Sequence, residues 1–513
     1  MFNEYVWKIY LNADGKNIVD LFEKNLSGDL TPSYAKSISA LHKSYCASSV
    51  IVDNLLNELE TTYEIVKAGV YAFEDGEYTI DSAMSILHDE LKSEDGTTAQ
   101  SIFVNFSARI AYYTTLFARE LPELFVPYYF KYNFNILEKI ANEFEIVLPE
   151  IPLKKDYEGR FFYYGELCVA FNEFRIKHNM SPYEFCAFLY DFAPKYIGGI
   201  DSYIVKDLPS AKSSYLIGGK KDDAFLTDED NIITPWQCNP DTMAGDNIVM
   251  YVKSPVSAIN CVWRSVSPGF NDPFFYYYRC TYIANPQKIK KVTLETLRRD
   301  KIFKQLPIVR KNMQGLNGVE LYPSAYNYLL DISKSELPRL EYGSDDVSGE
   351  LKREKDVENN LIKPFLKKLG YTEKEYTQQL HIHVGNNNFK LIPDFVVHPI
   401  VSVGHHSAEF IIEAKYTVES EKELEIYKTQ ARSYANQLKA KYSVVASKEG
   451  VWISSETDDF TRDFLVFTWI ELNNGDNFRQ VLKFLGNGNV LKSAEIRRKL
   501  VGRAMEYVMF DGN

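Results

Sequence analysis

The 513-residue sequence predicts a multidomain α+β protein, and three observations carry that expectation. Residues 1–205 repeat apolar side chains at helical spacing. From about Ser213 the chain turns into short β runs broken by Gly, Asp and Pro. From Asp356 a helix, two strands, a helix and another strand alternate. The layout expected is a helical amino-terminal domain over 1–205, a small β-barrel over 206–335, a polar linker over 336–356 and an α/β core over 357–513; the length suffices for three domains.

Composition narrows the class. No run approaches the roughly 18–20 apolar residues of a membrane span, and Met1–Trp7 lacks the basic and apolar regions of a signal peptide. The cysteines Cys46, Cys168, Cys186, Cys238, Cys261 and Cys280 are scattered with no Cys-x-x-Cys pair. That argues against structural zinc and a disulfide framework and fits a reducing cytoplasm. No membrane partner is expected.

Net charge is −12, which sits poorly with a polyanionic partner until it is divided. Residues 1–205 hold 30 acidic and 17 basic side chains, whereas the remainder holds 40 and 41. The acidity therefore belongs to the first third. Lys288–Lys311 carries nine Lys or Arg against Glu295 and Asp300, and Lys428–Lys448 carries five and no acid. Such stripes suit phosphate, although a basic run is more often a solvated face.

In the first third, Ser33–Leu59, Ala99–Glu120 and Phe134–Phe144 read as helices, with Thr31-Pro32 opening the first. Ser181 is an N-cap, followed by Pro182, for a helix through Tyr190. The aromatic run Phe125–Phe134 could stack bases, but core or a domain interface is the simpler use. The region resembles no recognised family, and no role is assigned to it.

The middle third reads as strands at Ser214–Ile217, Asn247–Lys253, Ala258–Ser265 and Phe275–Ile283, separated by the Gly245-Asp246 turn and the Asn271-Asp-Pro hairpin. Val292–Leu297, a Leu306-Pro…Arg310…Gln314-Gly315 segment and a helix ending near Leu330 follow. These features resemble an EVE domain, a PUA-like barrel related to YTH readers of methylated RNA, over about Ser213–Ile332. The resemblance implies a base extracted and held between aromatic or apolar walls. Trp236 is the first candidate wall, then Tyr251 and Trp263, with core packing as the plain alternative. Arg310, Asn312 and Gln314 could donate to phosphate or a base edge. The chain departs from the family in lacking its Trp-x-Gly-Val-Arg-Asn segment.

The last third centres on two β-rich runs, Leu391–Val397 with Pro393-Asp394 and Glu409–Lys415 with Glu413-Ala-Lys415. Residues two apart on a strand share a face, so Glu413 and Lys415 point the same way. An Asp and a Glu converging beside a Lys can hold a hard divalent cation through oxygen and hydrolyse a phosphodiester. Glu-x-Lys alone is a cheap pattern, recurring at Glu90–Lys92 and Glu350–Lys352 in charged, helix-like segments. Context separates the third copy: a helix Asp356–Leu369 ending at Gly370 precedes it, and Gln430-x-x-x-Tyr434 follows on a second helix. That order resembles the PD-(D/E)xK nuclease superfamily, and within it the amino-terminal nuclease of type I restriction motor subunits, over about Val357–Trp452. The resemblance implies Asp394, Glu413 and the helix-borne Glu358 as ligands to Mg²⁺ or Mn²⁺. It also implies Lys415 as catalytic lysine and Gln430 with Tyr434 beside the site. His381, His383, His405 and His406 could form a second metal site but read more simply as surface histidines. The tail reads as a strand over Phe464–Leu472, a helix over Phe478–Leu485 and a basic stretch over Lys492–Arg503.

Together the two resemblances imply a modification-dependent, type IV-like restriction endonuclease. It would cut double-stranded DNA carrying a modified base, in phage defence, as a homodimer. An RNA target stays open. Two alternatives remain: a modification-independent nuclease restrained by a sensor or partner-binding helical domain, and a nucleic-acid reader with an inactive nuclease.

Overall fold

Helix caps fix the outline of the first 200 residues. Asn3 accepts from the Tyr5 and Val6 amides to start Glu4–Tyr10, Thr98 and Ser101 cap Ala99–Ala108 reciprocally, and Ser181 with Glu184 forms a capping box ahead of Pro182. The computed structural model describes residues 2–27, 79–92, 96–197, 207–221, 223, 233–341, 351–383, 390–402, 405–455 and 463–488. The predicted helix Ser33–Leu59, Cys46, Glu350 and the basic stretch Lys492–Arg503 lie outside the described residues. The chain divides into two units, Met1–Glu320 and Leu321–Asn513, of mixed helices and sheets. Among the described residues no helix is long and apolar enough to cross a membrane.

In the first unit, the helix Tyr157–Lys177 buries residues around most of its circumference, including Phe161, Tyr164, Leu167, Cys168 and Phe171, as expected of a helix inside a bundle. Phe134–Phe144 is helical as expected. Ala99–Glu120 is not one helix: it breaks at Arg109, whose amide reaches back only to Phe106, so that Ile110–Glu120 starts afresh. The helix from Pro182 runs to Ala187 and continues through a wide turn, Phe188–Phe192. Phe125, Tyr128, Tyr129, Phe130 and Phe134 are all buried in the aromatic core, so this run packs the protein instead of offering rings to solvent.

Seven strands of the same unit form one curled, half-barrel sheet. They are β1 (Ser214–Gly219), β2 (Thr234–Gln237), β3 (Asn247–Val252), β4 (Ala258–Ser265), β5 (Phe270–Asn271), β6 (Arg279–Thr293) and β7 (Asn317–Leu321). The order is β2-β6-β4-β3-β1-β7, with β5 also on β6; β1 and β3 run parallel. The strand expected at Phe275–Ile283 begins only at Arg279, because Asp272–Tyr278 is committed elsewhere. Asp272, fully buried, accepts from the Phe274 and Phe275 amides at 2.9 and 3.1 Å and from the Tyr132 amide at 2.5 Å. Arg160 donates to the carbonyls of Pro273 and Phe275, and Phe274 sits inside the helical core. Helical region and sheet thus share one interior. The segment Val292–Leu297 is divided, since Thr293 ends β6 and caps the helix Leu294–Arg299.

The second unit is built on a six-stranded sheet of order β17-β16-β15-β14-β11-β8. Its members are β8 (Tyr376–Gln378), β11 (Phe395–Val397), β14 (Phe410–Ala414), β15 (Tyr442–Ala446), β16 (Gly450–Ser455) and β17 (Asp463–Thr468). Two small hairpins stand apart, β9 (Ile382–His383) with β10 (Lys390–Leu391) and β12 (Ile400–Ser402) with β13 (His405–Ser407). The parallel pair β14 and β15 is joined through the helix Glu421–Gln437, as parallel strands require. Alternation divides the core. Phe410, Ile412 and Ala414 face a cluster with Val357, Leu361 and Phe365, whereas Ile411, Val396 and Val445 face Leu424, Ala431 and Ala435. The strand expected through Leu472 stops at Thr468, whose hydroxyl caps the turn Trp469–Leu472; the last helix is Gly475–Leu485.

Candidate active site

The helix that precedes the second sheet starts at Glu354 and ends in a Schellman cap. Gly370, at φ +96, lets the Tyr371 amide reach the Leu366 carbonyl and its own amide the Lys367 carbonyl. Pro364 cannot donate back to the Asn360 carbonyl, and the helix widens to a π turn over Glu358–Ile362 just before it. Val357, Leu361 and Phe365 anchor this helix on one face of the sheet, and its first two turns carry Glu354 and Glu358 one above the other.

Strand register supplies the other carboxylates. Phe395 pairs with Ile412, so Asp394 lies beside Glu413, and Asp394 Oδ2 accepts the Ala414 amide at 2.8 Å. By alternation Glu413 and Lys415 follow Ile411, and Asp394 precedes Val396, onto the face covered by Glu421–Gln437. Oxygens of Glu354, Glu358 and Asp394 lie within 4.8 Å of one another. Lys415 Nζ bonds Glu413 Oε1 at 2.7 Å and lies 5.2 Å from the Tyr427 ring centre. Glu358 Oε2 takes Lys355 Nζ at 2.5 Å and Gln378 Nε2 at 3.2 Å.

The electrostatics follow from crowding. Burial first, and Asp394 second, push Glu413 up to about 7 against the pull of Lys415. Burial raises Asp394 and Glu354 as well, although the Ala414 amide and Lys415 oppose this at Asp394. Burial alone would lower Lys415; its bond and charge contact with Glu413 outweigh that and leave it raised. Among the described residues, Glu413 Oε2, on a residue only 2% exposed, accepts no hydrogen bond. A buried carboxylate oxygen without a donor is costly unless something positive completes it. The donor set is all oxygen and several carboxylates share it, which fits a hard divalent cation such as Mg²⁺ or Mn²⁺.

The structure therefore brings together Asp394, Glu413, Lys415 and Glu358, and adds Glu354, Lys355, Gln378 and Tyr427. The spacing of Glu354 and Glu358, one helical turn apart, was a signal for the first of these. Gln430 donates to Tyr434 Oη at 3.1 Å along its own helix, and the ring over Lys415 is that of Tyr427, one turn earlier. His383 and His405 fall in the two separate hairpins, His381 immediately before the first and His406 in the second.

The first unit treats its candidates less uniformly. Trp236 is half-buried on β2, with Nε1 donating to the Gly218 carbonyl at 3.2 Å. Trp263 is fully buried on the same apolar face; Tyr251 follows Met250, which points into that face, and therefore belongs to the opposite one. The three rings do not close a single cage. Arg310, Asn312 and Gln314 are exposed at a tight turn where Asn312 and Met313 adopt positive φ, and Asn312 accepts from Arg298. All nine basic residues of Lys288–Lys311 are exposed, whereas Lys428 in the second stripe is buried and bonded to Glu425.

No family model matches the chain, and no curated protein matches it. Among solved structures, the NMR structure of Rpa0253 from Rhodopseudomonas palustris aligns at 11% identity over 24% of this chain and 93% of its own, with a TM-score of 0.22. A likeness at that level carries no argument about fold or function.

Proposed function

We propose that the second unit is a metal-dependent phosphodiesterase of the PD-(D/E)xK kind acting on DNA. The observation that carries this reading is the convergence of Glu354, Glu358 and Asp394 beside Glu413, whose buried Oε2 has no donor, with Lys415 fixed alongside. Asp394, Glu358, Glu354 and Glu413 would hold the cation. When bound, it would lower the pKa of a water and offset charge growing on the phosphate. Lys415, held by Glu413 and the face of Tyr427, would orient the attacking water or donate to the transition-state oxyanion. Gln378 would keep Glu358 turned toward the cluster.

For the first unit we infer a nucleic-acid-reading role. The exposed basic face Lys288–Lys311 and the half-buried Trp236 on a curled sheet support it. The helical region supports the sheet through the Asp272–Tyr278 loop, which favours a scaffold over a separable sensor. The finer reading is a modification-dependent, type IV-like restriction endonuclease in phage defence. A cleavage assay with Mg²⁺ tests it, comparing phage DNAs bearing modified cytosines with unmodified plasmid for wild type, Lys415→Ala and Trp236→Ala. Cutting restricted to modified DNA and lost in both variants is expected. Cutting of every DNA, indifferent to Trp236, would remove the modification reading and keep the nuclease. Equal cutting by Lys415→Ala would remove the nuclease.

A further inference from the structure

We propose that Lys355 is a second functional lysine of this site, which divalent-cation binding exchanges from Glu358 onto a phosphate of the bound nucleic acid. The inference rests on the metal-dependent reading above and assigns a cationic role to a residue that the sequence pattern does not mark.

The two lysines are held differently. The Lys415 side chain is 15% exposed, and its partner Glu413 is buried. It is fixed from one side by Glu413 Oε1 and lies near the Tyr427 ring. The Lys355 side chain is 50% exposed and, among the described residues, pairs with Glu358 Oε2, three residues further along its own helix. Glu358 is buried, but the lysine end of this i,i+3 pair is open to solvent, so the ammonium can leave its partner for water. Yet its position matters electrostatically, because the Lys355 charge is felt at both Asp394 and Glu354.

Charge counting explains why it is there. Glu354, Glu358, Asp394 and Glu413 bring four carboxylates, and Lys415 and Lys355 bring two ammonium groups. Lys355 thus acts as a tethered counter-ion on the carboxylate that a cation would share. With a divalent ion held by Glu354, Glu358 and Asp394, the Lys355 ammonium would be repelled from Glu358 by like charge. The flexible four-carbon stem then lets the head turn outward, where a phosphodiester drawn to the same site provides the next available negative charge. No bond to carbon or phosphorus is made or broken by the exchange.

Two measurements on the full chain test it: Mn²⁺ titration by calorimetry, and binding of a fluorescein-labelled DNA duplex in Ca²⁺ at several salt concentrations. Lys355→Met removes the competitor, so Mn²⁺ should bind about two- to fivefold more tightly. Metal-loaded DNA binding should weaken, and the slope of log K against log salt should become shallower by about 0.9, one phosphate contact. Lys355→Arg should keep both properties near wild type. Opposite-signed effects on metal and DNA cannot come from misfolding. Unchanged or weaker Mn²⁺ binding in Lys355→Met, or a wild-type salt slope, would overturn the role of Lys355 alone. A wild-type protein that takes up no Mn²⁺ would overturn the metal-dependent reading itself.

Discussion

Each unit of this protein buries a carboxylate near a lysine, and the two arrangements differ in what completes them. Asp272 in the first unit is pushed up by burial, which three backbone amides and the Lys131 charge oppose without cancelling. In the second unit, Glu413 has one oxygen on Lys415 and the other on nothing, with Asp394 and Glu354 adding like charge. Fixed donors saturate the first group and make it a fastener between helices and sheet. The second keeps a buried oxygen without a donor among the described residues, with like charge around it.

Breaking each arrangement should give effects of different kind. The largest expected is on chemistry: Lys415→Met should slow Mg²⁺-dependent DNA cleavage by about a hundred- to a thousandfold at saturating metal, read in single-turnover assays. Next, Asp272→Ala should strand the Tyr132, Phe274 and Phe275 amides and cost the first unit about 3 kcal/mol. Urea unfolding would report that loss, and an unchanged midpoint would mean the loop is not a fastener.

Glu413→Gln sharpens the contrast, because it removes a carboxylate charge that burial and Asp394 disfavour while keeping an oxygen for Lys415. The second unit should gain about 1 kcal/mol while Mn²⁺ affinity falls at least about tenfold. A stability loss instead would show that Glu413 is structural. The smallest effect is a pH slope. Burial raises Asp272 from 3.8 to about 6, so its contribution to stability is complete below pH 3.8 and is lost as pH rises through 6. Across that window Asp272→Asn should remove a falling slope of at most about 1.4 kcal/mol per pH unit. Parallel pH–stability curves for wild type and variant would contradict the assignment.

How much was legible differs between the units for the same reason. Asp394, Glu413 and Lys415 could be found because strand alternation puts i and i+2 on one face, and β11 and β14 are separated by few residues. Glu358 was reachable through the helix that ends at Gly370. Glu354 had a local signal in its spacing from Glu358, but Lys355 looks like any solvated lysine until its partner is seen. Tyr427 was hidden by the neighbouring Gln430 and Tyr434, since only helix phase decides which ring meets the lysine. In the first unit Asp272-Pro273 read as a hairpin turn. Nothing in its neighbourhood marks the contacts with Tyr132 and Arg160, more than a hundred residues earlier.

By itself, then, the sequence determined the periodic facts: where helices are capped, which strand residues share a face, and that an Asp, a Glu and a Lys stand at strand ends. These depend on interactions within a few residues along the chain. The tertiary structure alone decided which buried charges are satisfied, because satisfaction is a count of donors brought from distant segments. It tied Asp272 down with amides from two regions and left Glu413 Oε2 without a donor. It also set Lys355 on the carboxylate that a metal ion would take.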